Sequence, residues 1–81
     1  MIARLLLWSL FDSKTTIDEL REHLPELEPP SAWLWNEAGE RFGLVAFGEL
    51  PDGLASVRDL IGTDPEVAEA FDVLDAEGGV G

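Results

Sequence analysis

The sequence contains no cysteine and only one histidine, His23. Without thiols the chain has no disulfides, no thiolate zinc site, no iron–sulfur cluster and no cysteine nucleophile. A single imidazole also excludes a cluster of histidine ligands within one chain, and we expect neither a metal nor a cofactor. A domain of 81 residues buries only roughly 60–65% of the surface that its unfolded chain exposes. A partner subunit is therefore the expected source of additional stability.

Basic residues are scarce, with five lysines and arginines against 17 aspartates and glutamates, for a formal net charge of −12. Phosphate backbones and anionic membrane surfaces repel such a chain, so we expect it to bind neither nucleic acid nor membrane. A nucleic-acid mimic would concentrate its acids in one stripe. Here they are spread over both predicted helices and every loop, which favours a solubilising role.

Long hydrophobic runs are also missing. The densest apolar stretch, residues 2–11, is interrupted by Arg4 and Ser9 and is much shorter than the ~20 residues that cross a bilayer. It lacks the basic start and small-residue cleavage site of a signal peptide. We therefore predict a cytoplasmic protein.

The apolar residues that are present, 46% of the chain, follow the periods of strands and helices. The pattern predicts a first strand that is apolar on both faces, a helix with a capping box at Thr15 or Thr16, a tryptophan-rich hairpin, and a second helix that ends at Gly62. Their predicted ranges are 2–11, 15–24, 31–36 with 41–50, and 54–61.

The segment after Gly62 is ambiguous. Asp64-Pro65-Glu66 is typical of a helix start, whereas residues 71–75 alternate like an edge strand. We predict one or two helical turns from Pro65, followed by a strand near residues 71–74. The element order then indicates a ferredoxin-like, split βαββα(β) domain over residues 1–76, with both helices on one face of an antiparallel sheet and a flexible tail at 77–81.

The hairpin allows two registers. A three-residue loop with a bulge at Gly39 pairs Trp35 with Arg41, and we favour it because the guanidinium can then lie over the indole ring. A two-residue loop at Ala38-Gly39 instead pairs Trp35 with Phe42.

In the favoured register, Trp33 and Trp35 lie on the sheet face away from the helices, and Trp8 can join them. A face this apolar is not expected to remain exposed to solvent. We predict that it forms a homodimer interface. The first alternative is an aromatic pocket for a small apolar ligand or a protein partner, and the second is a different fold in which these residues are ordinary core. The residues predicted to face the second copy or the ligand are Trp8, Trp33, Trp35, Asn36, Arg41, Val45 and Phe47.

No catalytic signature stands out. His23 has the properties of a surface histidine near a helix C-terminus, the serines have no nucleophile-elbow motif, and the glycines of residues 39–48 fall in a hairpin rather than in a phosphate-binding loop.

The inferred order and the aromatic sheet face resemble the dimeric α+β barrel proteins, which include cofactor-independent monooxygenases of the antibiotic-biosynthesis type. Members of that group use tryptophan, asparagine and histidine around a cavity between sheet and helices. Trp33, Trp35, Asn36 and His23 supply those residue types. The resemblance is one of architecture, matches no motif residue by residue, and so places no catalytic residue.

Two functions follow from these patterns. The first is a small, acidic, non-catalytic interaction or regulatory module that dimerises through its aromatic sheet face. The alternative is a small-molecule binder or cofactor-independent enzyme on the same dimer. A dry, filled face would favour the former, and a cavity with polar groups such as Asn36 the latter.

Overall fold

The computed structural model describes residues 1–74 and shows an α+β fold in which two helices pack against a four-stranded antiparallel sheet. The predicted limit of the domain at residue 76 and the predicted tail at 77–81 lie outside the described residues. In chain order the elements are β1 (Ile2–Ser9), α1 (Ile17–His23), β2 (Ala32–Asn36), β3 (Arg41–Phe47), α2 (Leu54–Ile61) and β4 (Val67–Asp72).

The strands lie side by side in the order β2-β3-β1-β4, and every neighbouring pair is antiparallel. β1 is therefore an inner strand that pairs with β3 on one side and β4 on the other. A strand that is apolar on both faces is typical of a sheet whose two faces are both buried. In this sheet the two helices lie on one face only, which leaves the second apolar set of β1 on the opposite face.

Helix α1 begins where the sequence predicts. Thr16 is the N-cap, and its hydroxyl accepts a hydrogen bond from the backbone N–H of Glu19 at 3.3 Å. The Glu19 carboxylate is held by the hydroxyl of Thr15 at 2.9 Å. The helix ends at His23 because Leu24, which precedes Pro25, is extended, the backbone conformation that a following proline favours.

Helix α2 is confirmed over the whole predicted range, Leu54–Ile61. Gly53 and Gly62 flank it, both with φ of 88°, a left-handed conformation that glycine adopts without a steric penalty. The Gly62 N–H donates to the carbonyl of Arg58 at 2.8 Å, which closes the last turn.

The predicted helical turn from Pro65 is wrong, because this segment pairs with β1 as strand β4. The Glu66 N–H donates to the Leu7 carbonyl at 2.7 Å, and ladder pairing continues to Asp72. The free edge of β1 offers backbone partners for the whole segment, and this tertiary pairing outweighs its local helical preference.

The core lies between the helices and the sheet and is centred on two aromatic side chains. Trp8 is fully buried, and its ring centroid lies 5.8 Å from that of Phe42. The indole N–H of Trp8 donates to the carbonyl of Thr63 at 3.1 Å, so the ring's polar atom is satisfied. Leu20 from α1 and Val57 from α2 are also fully buried in this cluster.

Candidate interface on the uncovered face of the sheet

The hairpin adopts the less favoured of the two predicted registers: Trp35 pairs with Phe42 and Asn36 with Arg41. The favoured register is wrong because the left-handed residue of the loop is Glu40, with φ of 50°, and not Gly39. The Gly39 N–H instead donates to the side-chain carbonyl of Asn36 at 3.0 Å.

A shift of one residue in register moves every side chain of a strand to the other face of the sheet. Trp33 and Trp35 therefore lie under the helices, so their predicted place on the open face is wrong. The ring of Trp33 stacks on Phe42, with 5.4 Å between centroids, and its indole N–H donates to the Pro25 carbonyl at 3.0 Å. Trp8 is fully buried on the same side.

The remaining predicted residues lie on the opposite side of the sheet, which we call the open face. Directly paired residues share a face, so the open face consists of four rows that cross the strands. From one end to the other, the rows are Asn36, Arg41 and Ser9; Leu34, Gly43, Leu7 and Val67; Ala32, Val45, Leu5 and Glu69; and Phe47, Ala3 and Phe71.

Three of these four rows are mainly apolar, and no helix or strand within residues 1–74 covers them. Phe71 is 48% exposed and Leu34 is 39% exposed. Five further aliphatic or aromatic side chains are half-buried: Leu5, Leu7, Val45, Phe47 and Val67. Contiguous apolar surface of this kind on a small protein is typical of an interaction site.

The middle of the open face is closely packed around Gly43. A Cβ atom at this position would lie 2.6 Å from Cδ2 of Leu7 and 2.9 Å from the backbone oxygen of Leu6. Leu7 thus lies over the glycine and fills the space that a side chain would need. The result is a continuous surface rather than a pit at the centre of the face.

Charge on the open face is sparse and balanced. Among its strand positions, Arg41 is the one base and Glu69 the one acid. Arg41 also forms an exposed ion pair with Glu66, with 3.2 Å between Nη2 and Oε2, an interaction of about 0–1 kcal/mol. The chain's large negative charge therefore lies around the face and not on it.

The residue types expected of a monooxygenase-like site do not converge. Asn36 lies on the open face, Trp33 and Trp35 lie beneath the helices, and His23 is exposed at the end of α1. Within residues 1–74, every buried side-chain nitrogen or oxygen has a hydrogen-bond partner, so no orphaned polar group marks a catalytic pocket there. Nor does this range contain a group of three acids or histidines arranged to hold a metal ion.

Sequence reasoning missed the residues that now define the open face, above all Leu5, Leu7, Leu34 and Phe71. One signal was present: β1 is apolar at odd as well as even positions.

The sequence matches no protein-family model, and no curated protein matches it significantly. No helix in residues 1–74 is both long and apolar enough to cross a membrane.

Proposed function

We propose that this chain is a small, non-catalytic interaction module that forms a homodimer through its open face. The observation that carries the proposal is the set of three mainly apolar rows that cross the sheet and are left uncovered on its open face. Burying an aliphatic side chain such as Leu34 contributes about 1.5–3 kcal/mol relative to leaving it in water. The chain has no disulfide to stabilise it, and a second sheet would supply the missing burial.

A second copy suits this face better than a charged partner does. Since the strand positions of the face carry one base and one acid, two such faces can meet without net electrostatic repulsion between them. Four strands at ~4.8 Å spacing with about six residues each at ~3.3 Å cover roughly 400 Å² in projection. Two such faces bury on the order of 1,000 Å², the lower end of specific interfaces, so we expect dissociation in the micromolar range.

We also infer that the domain is of the ferredoxin-like, split βαβ class. The order of elements along the chain and the strand order β2-β3-β1-β4 support this assignment. Each helix then connects two parallel strands that are separated by one antiparallel strand. This arrangement leaves one sheet face free, and the apolar rows lie on that face.

The salt dependence of self-association tests the proposal. Each chain carries a net charge of −12, so two copies repel each other at long range although their open faces do not. Raising NaCl from about 20 mM to about 500 mM shortens the Debye length from ~20 Å to ~4 Å. We expect the dimer to tighten on the order of tenfold or more, measured by sedimentation equilibrium.

The opposite trend would contradict this account. A dimer that weakens with salt would be held by ion pairs rather than by apolar contact. A monomer at every salt concentration, up to millimolar protein, would remove self-association altogether.

A further inference from the structure

A second surface lies at the end of the sheet where β1 begins and β3 ends. There, a cleft of about 820 Å³ lies between the α1–β2 connection and the β3–α2 connection. Leu27 and Phe47 line it half-buried, and Leu50 is 40% exposed. The cleft therefore has an apolar lining that water contacts in the free protein.

The walls of this cleft are rich in proline. Four of the five prolines of the chain line it, Pro25, Pro29, Pro30 and Pro51, and proline fixes its own φ. The two connections also lie close together, since a Cβ built on Gly53 would be 3.4 Å from the ring of Pro25.

Two hydrogen bonds fix the backbone at this end of the sheet, one within the lining of the cleft and one beside it. The Phe47 N–H donates to the Ser31 hydroxyl at 2.9 Å, and the Gly48 N–H donates to the Ile2 carbonyl at 2.7 Å. Proline and these hydrogen bonds lower the conformational entropy that the walls of the cleft lose when a ligand binds.

The rim of the cleft is acidic. Glu26, Glu28, Glu49 and Asp52 line it, all exposed, and no lysine or arginine among residues 1–74 does so. An apolar floor beneath four carboxylates complements a ligand with an apolar side and several positive charges. Such a rim repels phosphate-bearing surfaces, so a nucleic acid or an anionic membrane does not suit it.

We propose that this cleft docks a basic, amphipathic peptide segment of another protein, whose apolar side chains lie on Leu27, Phe47 and Leu50 while its lysines or arginines face the rim. The inference takes from the proposed function only its class, an interaction module, and it does not require the homodimer. Of the cleft residues named here, only Phe47 also belongs to the open face, so separate variants test the two surfaces.

The probe is a fluorescein-labelled 14-residue peptide with leucines at helical spacing and lysines elsewhere, titrated with the protein by fluorescence anisotropy. We expect Glu28→Gln/Glu49→Gln to weaken binding about tenfold at low salt. Leu50→Ser is expected to weaken it about fivefold. A peptide of the same composition with scrambled leucines should bind at least fivefold more weakly than the patterned one.

The matched control is Glu37→Gln/Glu40→Gln, which removes the same two charges from the loop at the opposite end of the sheet and should change binding less than twofold. If both double variants lose the same affinity for the peptide, or if the scrambled peptide binds as tightly as the patterned one, the peptide is held by attraction to the net charge of the protein. Either result would overturn the proposal. An unchanged affinity in Leu50→Ser would also overturn it. Circular dichroism checks that each variant is folded.

Light scattering on the same samples separates this proposal from the homodimer. The cleft variants should leave the mass of the protein unchanged. Patterned-peptide binding by a protein that proves monomeric would still support the cleft while removing the proposed dimer. A dimer that binds neither peptide would overturn the cleft alone.

Discussion

Replacing Trp8 with alanine is expected to lower the free energy of unfolding by about 3–5 kcal/mol. The indole is fully buried, packs 5.8 Å from Phe42, and donates to the Thr63 carbonyl. Truncation leaves a cavity at the centre of the core and removes the hydrogen bond to Thr63. A domain of this size has a total stability on the order of 4–12 kcal/mol, so a large part of it is lost.

Urea unfolding followed by far-ultraviolet circular dichroism measures this loss, because the signal does not depend on the removed tryptophan. The control is Phe11→Ala, which removes an aromatic ring that is 76% exposed and should change stability by less than about 0.5 kcal/mol. Equal effects of the two substitutions would show that Trp8 is not the centre of the core.

Substituting Leu34 and Phe71 together with glutamate is expected to weaken the proposed dimer by roughly a hundredfold or more while leaving the monomer folded. Both side chains are exposed in the single chain and lie on opposite edge strands of the open face. In a face-to-face dimer each new carboxylate would be buried without a partner, which is strongly unfavourable. Sedimentation velocity over a range of concentrations measures the effect.

The control is Ala55→Glu/Ala68→Glu, which adds the same two charges at exposed positions on the helix-bearing side of the protein. It should shift dimerisation only slightly, through the change in net charge. If both double variants dissociate the dimer equally, the open face has no special part in association. A dimer that survives Leu34→Glu/Phe71→Glu would place the interface elsewhere.

Much of the fold could be predicted from sequence because its signals are local. Gly53 and Gly62 bound α2 through their own backbone freedom, and Thr16 caps α1 through a contact only three residues away. The order of elements followed from apolar periodicity and turn residues.

The errors arose where a distant partner decides the outcome. Whether residues from Pro65 onward form a helix or a strand depends on the free edge of β1, some sixty residues earlier in the chain. The hairpin register depends on which loop residue adopts a positive φ, and the hydrophobic pattern could not settle this because β2 has leucine on one side and tryptophans on the other.

That register error had a large consequence for the candidate site. It placed Trp33 and Trp35 on the open face, whereas Pro25 and Phe42 hold Trp33 beneath the helices. The prediction of an apolar open face remains, but its members are mainly aliphatic. Val45 and Phe47 are the two apolar residues predicted for that face that the structure places there.

The most direct test of the central proposal, that two open faces meet, is the distance between spin labels in the dimer. The chain has no cysteine, so a single introduced cysteine directs one label per protomer. Ala32→Cys and Glu69→Cys lie in one row at opposite edges of the open face, and Ala55→Cys lies on α2.

Facing sheets pack ~10 Å apart, so the labels at positions 32 and 69 should each give interprotomer distances below roughly 30 Å. The labels at position 55 are separated by both sheets and both helix layers and should lie beyond roughly 35 Å. Pairing along β4 would instead give a short distance at 69 and a long one at 32. A shorter distance at 55 than at 32 and 69 would contradict the proposal outright.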